Sequence, residues 1–193
     1  MDYIDNLNFY LGHNVFGSKL IYEKTNKTII RSILEDGFLR TSNETKNSKL
    51  TGDIFDPDYD KNSSKTIYFE LNIKKKMHYT LYFDIQLLLK QTFWLNPSWL
   101  GGINKNISKK IDPKKLKLNL DDLTFILKEF KDIIIENINK IKLKSKFKYM
   151  FSNEILVKNP VSLRKYLLAI DGSVLNNDDI EYVKKNYPNT KII

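Results

Sequence analysis

FSNEILVKNPVSLRKYLLAI, residues 151–170, decides how this chain is read. Ile155, Leu156 and Val157 form a short apolar run, a proline follows at 160, and Leu167–Ile170 form another, so the stretch reads as two strands with a brief connection. Glu154 is out of place at the head of such a strand. An acidic side chain there is ordinarily a solvated edge residue, because carboxylates avoid full burial unless something pairs with them. The rest of the chain decides whether that plain reading holds.

Working outward, FKYMFSNEILV and LRKYLLAI read as the two strands, DDIEYVKKN as a short helix and NTKII as a last strand. Upstream, LDDLTFILKEFKDIIIENINKIK keeps Leu123, Leu127, Phe130, Ile134, Ile138 and Ile141 at helical spacing, with Asp121 and Asp122 at the positive end of the helix dipole. TIYFELNI, 66–73, alternates Ile67, Phe69 and Leu71 against Tyr68 and Glu70, as a half-buried strand does. YTLYF reads as a further strand, after which Asp84 caps a short helix IQLLLKQ. Near the start, residues 8–16 read as a strand, Thr25 or Asn26 as the cap of a helix through IIRSILED, and Gly37 as its left-handed C-terminal stop. Helices and strands without regular alternation predict an α+β fold with an antiparallel sheet.

Two long connections interrupt this pattern, at about 40–65 and 97–113. Loops of that length in a compact domain are commonly lids or binding loops. The chain has 193 residues, within reach of a single domain spanning 1–193, and no cysteine, which excludes disulfide frameworks, thiolate metal sites and cysteine nucleophiles. No metal site is expected. The segment MDYIDNLNFYLG lacks the basic-then-apolar order of a signal peptide, and no apolar run reaches membrane-spanning length, so a soluble intracellular protein, cytoplasmic by default and without a membrane partner, is expected.

The net charge is +9, almost all of the excess from Lys, with only Arg31, Arg40 and Arg164 to offer bidentate forks. Basic clusters at 74–78, 105–117 and 140–148 are either solvated faces or a surface for an anionic partner. QTFWLNPSWLGG, with Trp94 and Trp99, matches no motif; its tryptophans are core anchors or, beside Lys105, Lys109, Lys110, Lys114 and Lys115, stacking faces for a single-stranded nucleic acid.

Four blocks in order carry a family likeness: LGHNVFGS with His13, IIRSILEDGFLRTS, KTIYF with Tyr68, and NEILV followed by RKYLLAI. This order resembles the ADP-ribosyltransferase superfamily, and the last block is similar to the NEYIVY and KYLL segments of poly(ADP-ribose) polymerase catalytic domains. The resemblance covers about half of the chain and implies split antiparallel sheets with flanking helices. It also implies NAD as substrate and a His13, Tyr68, Glu154 triad, with a protein or nucleic acid as acceptor and mono-ADP-ribosylation as the expected outcome.

In that scheme Glu154 stabilises the cationic ribose, Tyr68 stacks on nicotinamide, His13 bonds the adenosine ribose, and Tyr79 is a candidate second stacking face. Asn14 replaces the family's glycine beside the nicotinamide amide, and the serine that usually follows the tyrosine strand is not evident. A member of the fold without activity, binding a nucleotide, a nucleic acid or a partner protein, is the alternative expectation.

Overall fold

The computed structural model describes residues 7–15, 18–22, 26–40, 66–71, 79–98, 109–141, 151–158 and 160–193. Among the described residues there are twelve strands: β1 Leu11–His13, β2 Ile21–Tyr22, β3 Lys27–Thr28, β4 Phe38–Leu39, β5 Thr66–Leu71, β6 Leu81–Phe83, β7 Phe93–Ser98, β8 Lys109–Ile111, β9 Phe151–Lys158, β10 Val161–Ser162, β11 Leu167–Ile170 and β12 Lys191–Ile192. Eight of them form one sheet in the order β12-β11-β6-β1-β5-β9-β7-β8. Its pairs are antiparallel except β11 with β12. The fold is α+β, with a continuous mixed sheet in place of the expected split one. Two small pairs, β10 with β4 and β2 with β3, stand apart from it.

Strand alternation gives this sheet two chemically different faces, because directly opposed residues of neighbouring strands point the same way. Leu11, Leu71, Phe69, Phe83, Ile155, Val157, Phe93, Leu95 and Ile111 share one face and are all buried. With Leu123, Leu127 and Phe130 of the long helix Leu120–Ile141, Ile30 and Leu34 of the helix Ile29–Asp36, and Leu87 and Leu88 of a 3-10 turn, they make the main core. The opposite face carries Tyr82, Gly12, Glu70, Glu154 and Asn96 in one row across five strands.

The helix Ile29–Asp36 is capped by Thr28, two or three residues beyond the Asn26 or Thr25 cap expected from sequence, because Thr28 Oγ1 accepts from Arg31 N at 3.1 Å. The same hydroxyl donates to Asp179 Oδ2 at 3.0 Å and so ties this helix to the C-terminal helix Asn177–Asn186. Gly37 closes the first helix at φ 74°, where a side chain would be strained. Asp84 caps the 3-10 turn Ile85–Leu89 as expected, through a bond from Gln86 N of 2.8 Å.

Sequence and structure differ at three further places. The strand expected at 8–16 is ordered as a ladder only over Leu11–His13. LRKYLLAI opens with one helical turn, Leu163–Tyr166, before β11. The connection expected from about 97 to 113 is preceded by β7 and contains β8, so this region extends the sheet by a hairpin that alternation alone did not reveal. The connection at 40–65 lies outside the described residues save for Arg40. Lys105, Trp99, His78 and most of the 140–148 cluster lie outside them as well.

Candidate functional site

The strands bearing His13, Tyr68 and Glu154, β1, β5 and β9, lie side by side in the centre of the sheet. Glu154 is opposed by Glu70 on one side and by Asn96 on the other. It is 6% exposed, far from the solvated edge carboxylate that its sequence position suggests in isolation. Asn96, itself fully buried, donates from Nδ2 to Glu154 Oε2 at 2.5 Å. The other oxygen, Oε1, accepts nothing among the described residues, and no cation reaches the carboxyl there. Burial pushes the Glu154 carboxyl up to about 7; the nearby Glu70 charge adds to this and the Asn96 bond works against it.

Glu70 is half-buried and is held by Tyr79, whose phenol donates to Glu70 Oε2 at 3.0 Å. Tyr79 reaches that position because its ring lies over Gly12: a Cβ on residue 12 would overlap the ring. Tyr10 and Tyr82 pack against Tyr79 at centroid distances of 6.4 and 5.7 Å, and Tyr79 N donates to Tyr82 Oη at 3.2 Å. Burial and the Glu70 carboxylate push the Tyr79 phenol up, so it is a neutral donor.

Tyr68 lies two residues from Glu70 on the same face, half-buried, with Leu156 opposite it. The row continues through Trp94, opposite Leu156, to Lys110, whose Nζ stands 5.5 Å from the Trp94 ring centroid. Tyr68 and Glu154 therefore lie on one face of the sheet. His13 does not. The register places its side chain on the core face, with its ring 5.5 Å from that of Phe69. Its Nδ1–H donates to the Tyr68 carbonyl oxygen at 2.7 Å, which fixes the tautomer, and burial pulls its pKa below the ordinary value, so the ring is neutral.

Asn14 Oδ1 accepts from Thr80 N at 3.2 Å, and Thr80 Oγ1 accepts from Val15 N at 3.1 Å, so the Asn14 side chain is engaged in closing β1 onto the segment before β6. Tyr79 is a clamp on Glu70 rather than a free stacking face. Sequence reasoning missed Glu70 and Asn96. Glu70 was visible as a polar partner of Tyr68 in an alternating strand; Asn96 sits in a strand that the pattern around Trp94 concealed. Among the described residues there is no cluster of three or more side chains able to hold a metal, and no helix long and apolar enough to cross a membrane.

No protein-family model matches the chain, and no solved structure does. Two proteins of Acanthamoeba polyphaga mimivirus are similar to it. One, "Uncharacterized protein L54", is 26% identical over 187 residues, which span 96% of this chain and 90% of that protein. The other, "Uncharacterized protein L28", is 31% identical over 96 residues, 49% of this chain and 82% of the relative. At that identity and coverage, the chain belongs to the family of the mimivirus protein L28.

Proposed function

We propose that the chain is an NAD-dependent ADP-ribosyltransferase in which Glu154 stabilises the ribosyl cation and Tyr68 carries the nicotinamide ring. One observation carries this reading: Glu154 is a nearly buried carboxyl with no cation beside it among the described residues, one oxygen held by Asn96 and the other uncommitted. A purely structural carboxylate at that depth is normally paired, because ionising it unpaired is costly. A cationic ligand offsets the cost. The pyridinium ring of NAD is such a ligand, and its positive charge moves onto the ribose as the glycosidic bond breaks.

The free Glu154 oxygen is suited to accept from a ribose hydroxyl while its charge faces the developing cation. Tyr68 on β5, diagonal to Glu154 on the neighbouring β9, offers an aromatic surface for the flat nicotinamide ring. His13 acts from behind, bracing the Tyr68 backbone through its carbonyl. The acceptor is a protein or a nucleic acid hydroxyl. Adding single units fits the absence of any acceptor subsite recognisable in the sequence.

Incubation with labelled NAD tests the proposal directly. Nicotinamide release with label moving to protein or nucleic acid is expected, and Glu154→Gln should lower it by roughly 10²-fold, about 3 kcal/mol. NAD binding without turnover would leave a binding protein of the same fold. Wild-type turnover by the Gln variant would return Glu154 to a structural role.

A further inference from the structure

We infer that Glu70 is a second catalytic carboxylate of this centre, the base that takes the acceptor's proton, and that Tyr79 and Gly12 hold it in position. The inference rests on the ADP-ribosyl transfer reading and adds to it a residue with no counterpart among the motifs that suggested that reading. Glu70 and Glu154 are directly opposed across β5 and β9, so their Cβ atoms are about 5 Å apart and their carboxyls share one face.

The two groups are held alike. Each has one oxygen anchored by a neutral donor, Tyr79 Oη for Glu70 and Asn96 Nδ2 for Glu154. Each has its second oxygen uncommitted among the described residues, and neither has a cationic partner there. Like charges placed side by side without a cation destabilise a sheet. Here a built device keeps them together: Tyr79 reaches Glu70 only because residue 12 has no side chain, and Tyr10 and Tyr82 pack around the Tyr79 ring.

Their burial divides the work. Glu154, 6% exposed, is withdrawn from solvent and suits a charge that must stay with the sugar. Glu70 is half-buried, so a proton that it accepts can pass on to solvent. In the step proposed, the bond between nicotinamide nitrogen and ribose C1′ breaks, and both its electrons leave with neutral nicotinamide. A lone pair of the acceptor hydroxyl forms the new bond to C1′, and the hydroxyl proton passes to the Glu70 carboxylate and then to water. NAD and the acceptor give the ADP-ribosylated acceptor, nicotinamide and one proton. Water in the acceptor's place gives free ADP-ribose by the same route.

Two measurements on the full chain test this. The first needs no NAD: the Glu154 carboxyl is titrated by isotope-edited infrared spectroscopy in the wild type and in Glu70→Gln. Among the described residues Glu70 is the one charged group that faces it, with Tyr79 behind, so its midpoint should fall from about 7 in the variant. An unchanged midpoint means that the carboxyls do not face each other, and overturns the inference.

The second measures nicotinamide release with acceptor present. Glu70→Gln should retain NAD affinity and lose roughly 10²-fold or more in turnover, Tyr79→Phe should lose less, and Glu70→Asp should recover part of the activity. Wild-type turnover by Glu70→Gln, with Glu154→Gln inactive in parallel, overturns the role of Glu70 alone. No nicotinamide release from the wild type overturns both readings.

Discussion

Glu70 and Glu154 oppose each other on adjacent antiparallel strands, and neither has a cation beside it among the described residues. Burial, with the Glu70 charge adding to it, favours the protonated form of Glu154. The pH dependence of folding follows from this. Glu154 binds its proton more tightly in the folded chain, up to about 7, than in the unfolded chain, near 4.5. Between those values the folded state carries the extra proton, so stability falls as pH rises through the interval and is lowest above it.

The span corresponds to about 3 kcal/mol as an order of magnitude. Glu154→Gln removes the ionisation, so the variant should be more stable than the wild type at pH 8 by up to that amount, and nearly equal to it at pH 5. Urea unfolding at the two pH values measures the difference. A variant less stable than the wild type at pH 8 would show that Glu154 ionises without cost.

Gly12→Ala should damage the site from a distance. The added methyl overlaps the Tyr79 ring, so Tyr79 must move and its bond to Glu70 must break. A loss of about 2 kcal/mol is expected from the overpacking alone. Pairing the change with Tyr79→Ala should recover part of that loss, because the clash partner is gone; a double-mutant cycle on unfolding free energies reads the coupling. Strict additivity would mean that the two residues do not touch.

Thr28 joins the two ends of the chain. Its hydroxyl accepts from Arg31 N and donates to Asp179, which is 2% exposed. Thr28→Ala removes a helix cap and leaves the carboxylate one donor short, for an expected loss of about 2 kcal/mol, whereas Thr28→Ser should lose much less. Equal stability of the Ala and Ser variants would assign the effect to the lost methyl group.

Much of this architecture was legible in the sequence. Alternation over 66–71 gave β5 and its two faces, and the Gly37 stop and Asp84 cap were read from single residues. The apolar spacing of the long helix was also plain, and Leu123, Leu127 and Phe130 are buried as that spacing requires. Three things were not legible. Strand order is a non-local choice, so nothing near Glu70 or Glu154 announces that they meet. The side of the sheet on which His13 falls depends on register, and a shift of one residue would have put it beside Tyr68 and Glu154. Trp94 and Asn96 were hidden for another reason: FWLNPS carries a proline and an asparagine, residues that ordinarily mark turns, within a strand.

The acceptor of the proposed transfer can be approached through the row that runs from Tyr68 through Leu156 and Trp94 to Lys110. Lys109 and Lys110 are exposed on β8, at the edge of the sheet, and Lys114 and Lys115 are exposed on the helical turn that Asp112 caps. Trp94 is half-buried with the Lys110 ammonium near its ring, so a base and a phosphate would find adjoining contacts within one row of the Glu154 carboxyl. Replacing all four lysines with Gln should weaken binding of a short single strand and flatten its salt dependence, by roughly one unit of slope for each lysine that had contacted a phosphate. Trp94→Ala should weaken binding with the slope unchanged, because stacking releases no counterions. If the four-lysine variant keeps both affinity and slope, this edge does not recognise nucleic acid, which favours a protein as the acceptor of the proposed transfer.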